Sequence, residues 1–218
     1  MFVKAAPARR SGLSRPSFLA AFATQALANL GQYSLLLIAP IVLDHRQWGS
    51  RERGLALSAL TVGLIVMGPP GGRHGDRSGN KSAILRGLSV GAVGAAILLP
   101  FGTNVAPAVL IAALAVFGLG LGFASSSIIA AGLDAVPPQQ TGVAAGVLSA
   151  SRYVGSIVAS LLLAASVADD GSGARVMYIA ASAALALAVV ASRVLPNRVP
   201  PDRWSATGSS NVGGATLR

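Results

Sequence analysis

Long runs without a charged residue leave this sequence few ways to fold. Residues 16–43, between Arg15 and Asp44, and residues 87–133, between Arg86 and Asp134, contain no Asp, Glu, Lys or Arg. A helix needs roughly 20 residues, at about 1.5 Å each, to cross the hydrocarbon of a bilayer. The first run is therefore one span and the second has room for two. Pro100, Gly102, Asn104 and Pro107 supply the turn between those two. Residues 54–72 form another span, closed by Pro69, Pro70, Gly71 and Gly72. Residues 142–168, interrupted only by Arg152, and residues 176–192 complete a set of six, the last being the shortest. Backbone in lipid must satisfy its own hydrogen bonds, which helices do. The expected fold is an all-α integral membrane protein with six transmembrane helices. Its domain would cover 16–195, after a basic segment at 1–15 and before a Pro-, Gly-, Ser- and Asn-rich tail at 196–218 that reads as disordered.

Composition supports this and removes other classes. Only 11% of residues are charged, against about a quarter in soluble domains. A formal net charge of +10 would suit nucleic acid, but the bases flank apolar blocks, the pattern of membrane topology. With both ends cytoplasmic, the inside segments hold Lys4, Arg9, Arg10, Arg15, Arg73, Arg77, Lys81, Arg86, Arg193, Arg198, Arg203 and Arg218. The outside loops hold only Arg46, Arg51, Arg53 and Arg175, with Asp169 and Asp170. That bias predicts a multi-pass plasma-membrane protein, of the inner membrane in a bacterium, with both termini inside. Arg9 and Arg10 superficially match an export leader. The apolar run that follows is too long for one and carries Gln25, Asn29 and Gln32, so it reads as an uncleaved first helix. The chain has no cysteine, hence no disulfide framework or thiolate site.

The densest motif lies between the second and third spans, Gly71-Gly72-Arg73-His74-Gly75-Asp76-Arg77-Ser78-Gly79-Asn80-Lys81. Read locally it is a basic loop. Its glycines allow a tight reversal, Asp76 can accept backbone N–H groups at a helix start, and Arg77 and Lys81 lie near lipid phosphates. Gly72, Asp76, Arg77, Gly79 and Lys81 resemble the G-x-x-x-D-R-x-G-x-K loop of the major facilitator superfamily of transporters, which joins the second and third helices of each six-helix half. The resemblance spans residues 17–195. It extends to Gly118-Leu119-Gly120-Leu121-Gly122, to the loop Pro137-Pro138-Gln139-Gln140, and to Gly142-Val143-Ala144-Ala145-Gly146 followed by Arg152. That last block is similar to the penultimate helix of bacterial multidrug exporters. The fourth span has no base and the fifth no Pro, which makes the chain more similar to a carboxy-terminal half than to an amino-terminal one.

The resemblance implies one half of a major facilitator fold. It also implies gradient-driven export of a drug-like small molecule by alternating access, with the Asp76 loop as a gate. Such transport needs a second six-helix half, either an amino-terminal half missing from this chain or another copy of it. The basic segment after Met1 resembles the loop that joins two halves. The competing expectation is a truncated or non-transporting membrane protein that packs against a partner half by its glycine faces.

Several residues are candidates for the work itself. Gln25, Asn29 and Gln32 fall at i, i+4 and i+7, on one helical face with Tyr33 beside it. Amides in the bilayer need either a partner helix or a water-filled cavity, and both readings stand for this stripe. Ser125, Ser126 and Ser127 pose the same question, with Ser126 the candidate for cavity lining. Gly68 and Gly72, Gly87 and Gly91, Gly118 and Gly122, and Gly142 and Gly146 have the spacing that lets helices approach closely. Arg152 lies deep in the fifth span and is expected to snorkel or to pair with Asp134. No Asp or Glu lies well inside a span, so a proton carrier would belong to the other half. His45 and His74 read as loop residues. No nucleophile–base pair, metal-ligand cluster or phosphate loop is present in the sequence, so neither an enzyme nor a cofactor is expected.

Overall fold

The computed structural model describes residues 12–45, 47–167 and 173–196. Six α-helices run through them: α1 Pro16–His45, α2 Ser50–Ser78, α3 Asn80–Ala96, α4 Pro107–Leu133, α5 Thr141–Val167 and α6 Gly173–Ser192. Short 3-10 turns precede α1, α4 and α5 at Gly12–Ser14, Gly102–Asn104 and Pro138–Gln140. Five helices are long and apolar enough to cross a membrane. The other is α3, with 17 residues, so the shortest span is the third and not the sixth. Pro107 opens α4, where the missing N–H costs nothing. Of the sequence expectations, the segment 1–11, Arg46, Asp169, Asp170 and the tail from 197 onward lie outside the described residues.

The largest departure from the sequence reading is the end of α2. The helix does not close at Pro69-Pro70-Gly71-Gly72 but runs on to Ser78. The reason is packing. Gly63, Gly71 and Gly75 share one buried stripe of α2, and α4 lies against it. A Cβ at Gly71 would stand only 2.0 Å from the Phe123 carbonyl oxygen, and one at Gly75 would stand 2.5 Å from Ser127 Oγ. Membrane helices tolerate proline where such neighbours hold the segment.

Helix α4 is the post to which α2 and α3 are fixed. Its Gly-x-Gly-x-Gly run divides between two partners. Gly118 and Gly122 meet α2, where added Cβ atoms would fall 2.2 Å from Leu60 O and 2.5 Å from Leu64 O, while Gly120 meets α3 at Gly87 and Gly91. Helix α1 plays the same part for α5 and α6, and α3 touches α6. The packing is thus pseudosymmetric: α1 and α4 are central, and each holds the second and third helices of the other three-helix set.

Not every expected glycine contact forms. Gly68, Gly142 and Gly146 face open space, whereas Gly155, which no spacing rule singled out, lies against Ala26, Asn29 and Leu30 of α1.

Candidate functional site

Alternating helix directions bring one end of every helix to a common basic end. Arg15, Arg73, Arg77, Lys81, Arg86 and Arg193 gather there. Three hydrogen bonds lace it across the chain: Arg15 donates to Ala135 O (3.2 Å), Lys81 Nζ to Arg193 O (2.6 Å) and Asn80 Nδ2 to Asp134 Oδ2 (3.4 Å). The opposite end holds the ion pair of Arg53 with Asp44.

The G-x-x-x-D-R-x-G-x-K segment is the hinge of the basic end rather than an open loop. Gly72, Asp76 and Arg77 ride the last turns of α2. Gly79 alone breaks the helix, with φ +88° and ψ 142°, a conformation open almost only to glycine, and its N–H donates to Gly75 O. Lys81 already belongs to α3. Asp76 and Arg77 are exposed. His74 is therefore a helix residue, correcting its placement in a loop. Its Nε2 lies 3.0 Å from an Arg86 nitrogen and 3.4 Å from Ser82 Oγ, and its ring is tilted against Phe123. The sequence reading also passed over Asn80, which is buried and joins α3 to Asp134. Its signal was its place inside the motif, between Gly79 and Lys81.

Arg152 and Asp134 do not pair. Asp134, at the end of α4, turns to Asn80, whereas Arg152 lies eleven residues into α5, about 16 Å from the helix start. It is exposed, and the only ion pair among the described residues is that of Arg53 with Asp44.

On α1 the amide stripe meets the seam with α5 at Asn29, whose Cβ lies against Gly155. Gln25 and Asn29 are 6% and 4% exposed, and Gln32 and Tyr33 are half-buried. Asn29 Nδ2 donates to Gln25 O at 3.0 Å, a bond within its own helix. Gln25 Oε1 is buried with no partner among the described residues, a costly state for a carbonyl in a low-dielectric interior. Ser126 is not part of this stripe. Its hydroxyl turns to Gly68 O of α2, at 3.5 Å. Ser125 bonds back to Gly122 O, and Ser127 Oγ is buried without a partner among the described residues.

Comparison with known proteins fits this geometry. The family model described as Major Facilitator Superfamily matches residues 21–215. The chain is 30% identical over 139 residues to the uncharacterized MFS-type transporter YvkA of Bacillus subtilis, covering 63% of this chain and 31% of that protein. It is 26% identical to the multidrug resistance protein Stp of Mycobacterium tuberculosis, over 67% of this chain and 27% of Stp. Its fold matches the in meso crystal structure of the POT family transporter PepTSo with a TM-score of 0.70 at 20% identity, covering 85% of this chain and 39% of that one. The chain thus spans about a third of the length of the relatives it matches. A six-helix bundle of this packing, hinged at Gly79 and matched along most of its length by the family model, is a member of the Major Facilitator Superfamily.

Proposed function

We propose that this chain supplies one six-helix half of an alternating-access transporter that exports a drug-like small molecule down or against a coupled gradient. The observation that carries this reading is the amide stripe of α1. Gln25, Asn29 and Gln32 hold polar groups at membrane depth, and the Gln25 side-chain oxygen has no partner within the half. Within the half that oxygen is closed off, and a water or substrate group that enters as the helices rearrange would satisfy it. Gln32 and Tyr33, half-exposed further along α1, extend the same wall.

Two other features support the proposal. The most apolar windows of α1 and α4 are 50% buried within the bundle, but those of α2 and α5 only 22%. Their outer faces, with Val62, Ile65 and Val66 on α2 and Val154, Ile157 and Leu161 on α5, suit a second half, supplied by another chain segment or another copy. The hinge from Gly72 through Asp76, Arg77 and Gly79 to Lys81 would control access at the basic end, which the charge bias assigns to the cytoplasmic side of a plasma membrane.

The test is transport of fluorescent dyes of either charge, anionic carboxyfluorescein and cationic ethidium, in proteoliposomes in which this chain is the sole facilitator protein, and again after adding an amino-terminal half taken from a related exporter. Dye movement in either case, abolished by Asp76→Asn with insertion intact, is the expected result. No movement in both would favour the alternative, a non-transporting membrane protein that packs with a partner half. Because the chain lacks cysteine, a single Cys at Ser78 also reports orientation. Labelling by an impermeant maleimide only after the membrane of whole cells is opened is expected for a cytoplasmic basic end.

A further inference from the structure

The exposed surface of α5 is divided lengthwise. Its buried stripe, Ala144, Leu148, Ser151, Gly155 and Ala159, packs inward. On one flank lie Val143, Val154, Ile157 and Leu161, all exposed. On the other lie Ser149, Arg152, Ser156 and Ser160, at i, i+3, i+7 and i+11, a helical repeat along one line. The apolar flank suits lipid or a protein partner. The polar flank does not.

Arg152 is the charge on that flank. It sits about 16 Å from the start of α5, near the middle of hydrocarbon that is about 30 Å thick. Its guanidinium is exposed and bonds to no acceptor among the described residues. No Asp or Glu lies within the described spans away from their ends, so this half offers it no counter-charge. A bare arginine in lipid at that depth is costly. The neighbouring hydroxyls of Ser156 and Ser160 donate to carbonyls of their own helix, Tyr153 O and Ser156 O, and neither accepts a hydrogen bond from Arg152 among the described residues. Beside the flank, Gly155 holds α5 against Asn29 of α1, so Arg152 stands next to the seam that buries Asn29. The flank carries one fixed positive charge and hydroxyls, and no acid.

The geometry points to an anion-recognition site: Arg152, on the polar flank of α5, receives a carboxylate, phosphate or other anionic group of the transported molecule in a water-filled pathway. This rests on the alternating-access reading above and specifies its substrate class as anionic. Arginine suits the role because it stays charged and its fork of N–H donors matches planar or tetrahedral oxyanions.

The test reads the local charge without knowing the substrate. Single cysteines replace Ser149 or Ser156 in the full, otherwise cysteine-free chain, each within a helical turn of Arg152. Their reaction rates are measured with anionic sulfonatoethyl and cationic trimethylammonioethyl methanethiosulfonate reagents. Both reagents are expected to react, with the anionic-to-cationic rate ratio raised by about tenfold over that of a free thiol, as a unit charge about 6 Å away in water-like surroundings dictates. Arg152→Gln is expected to return the ratio to the free-thiol value and Arg152→Lys to keep it. Raising ionic strength on the unmutated arginine should collapse the ratio in the same way, a readout that survives if Arg152→Gln does not assemble. Thiols that react with neither reagent would mean the flank is covered by lipid or protein, overturning the site and the aqueous pathway together. Thiols that react with both at the free-thiol ratio would leave the pathway standing and overturn anion recognition, the charge being neutralised by an acid of the second half.

Discussion

Helices α4 and α1 occupy equivalent places in the bundle, each central and each holding two partners, yet they are built differently. Along α4, Gly118, Gly120 and Gly122 let the backbones of α2 and α3 come into contact. The α1 seams have fewer such contacts, with Gly31 against Leu185 and Gly155 against α1 itself, and α1 instead carries Thr24, Gln25, Asn29 and Ser34 as buried polar residues. Helices that touch through glycine leave room only for small polar side chains such as Ser127, which lies opposite Gly75. One side of the bundle, the scaffold, is therefore joined backbone to backbone, and the other carries the larger amides that the proposed function assigns to the substrate. Ser126 belongs to the scaffold by this logic, since its hydroxyl is turned to Gly68 of α2.

The contrast can be broken by substitution, and the largest effects belong to the scaffold. Gly71→Ala and Gly118→Ala each drive a Cβ into a backbone carbonyl. Overpacking of this kind costs about 1–3 kcal/mol or more, so both should lower the melting temperature in detergent clearly or prevent assembly. Wild-type stability in both would remove the distinction between the two sides. Gly79→Ala comes next. It forces a side chain into a glycine-only conformation at a cost of about 1–3 kcal/mol, and should lower transport along with stability.

On the α1 side the expected signature is reversed. Gln25→Leu keeps the volume and removes a buried acceptor that has no partner, a group whose burial costs about 1–3 kcal/mol. Thermal stability should hold or rise while transport falls. A fall in stability would instead show that Gln25 is a structural partner, and α1 would join the scaffold. The smallest effect is expected at Gly142→Ala and Gly146→Ala, which point into open space, with stability changed by less than about 0.5 kcal/mol. Were transport lost at unchanged stability, that face would be where the second half docks.

How much of this was legible in the sequence follows from the kind of signal involved. The turn at Pro100–Pro107 was read correctly because proline and glycine act locally, and α4 opens at Pro107. The same reasoning failed at Pro69-Pro70-Gly71-Gly72, where the contacts of Gly71 and Gly75 with α4 carry the helix on to Ser78. The glycines of α4 were legible as packing residues but not as a division between two partners. Gly68, Gly142 and Gly146 had the same spacing, yet a Cβ at any of them would meet no described residue. The pairing of Arg152 with Asp134 rested on Asp134 being the acid near a helix end on that side of the membrane. Asp134 was already committed to Asn80, and the helical rise carried Arg152 far from it.

Sequence alone determined the membrane class, the number of helices and the family, because these depend on charge-free length and on a short motif, both one-dimensional. It also supplied every residue of the α1 stripe, since a period of 3.6 residues places them on one face whatever surrounds the helix. Only the tertiary structure decided which polar groups are buried without a partner among the described residues, where α2 ends, and that Arg152 stands exposed on a polar flank of α5 with no ion pair among those residues. These depend on which helix faces which, and that is set by the fit of backbone against backbone at glycines far apart in the chain.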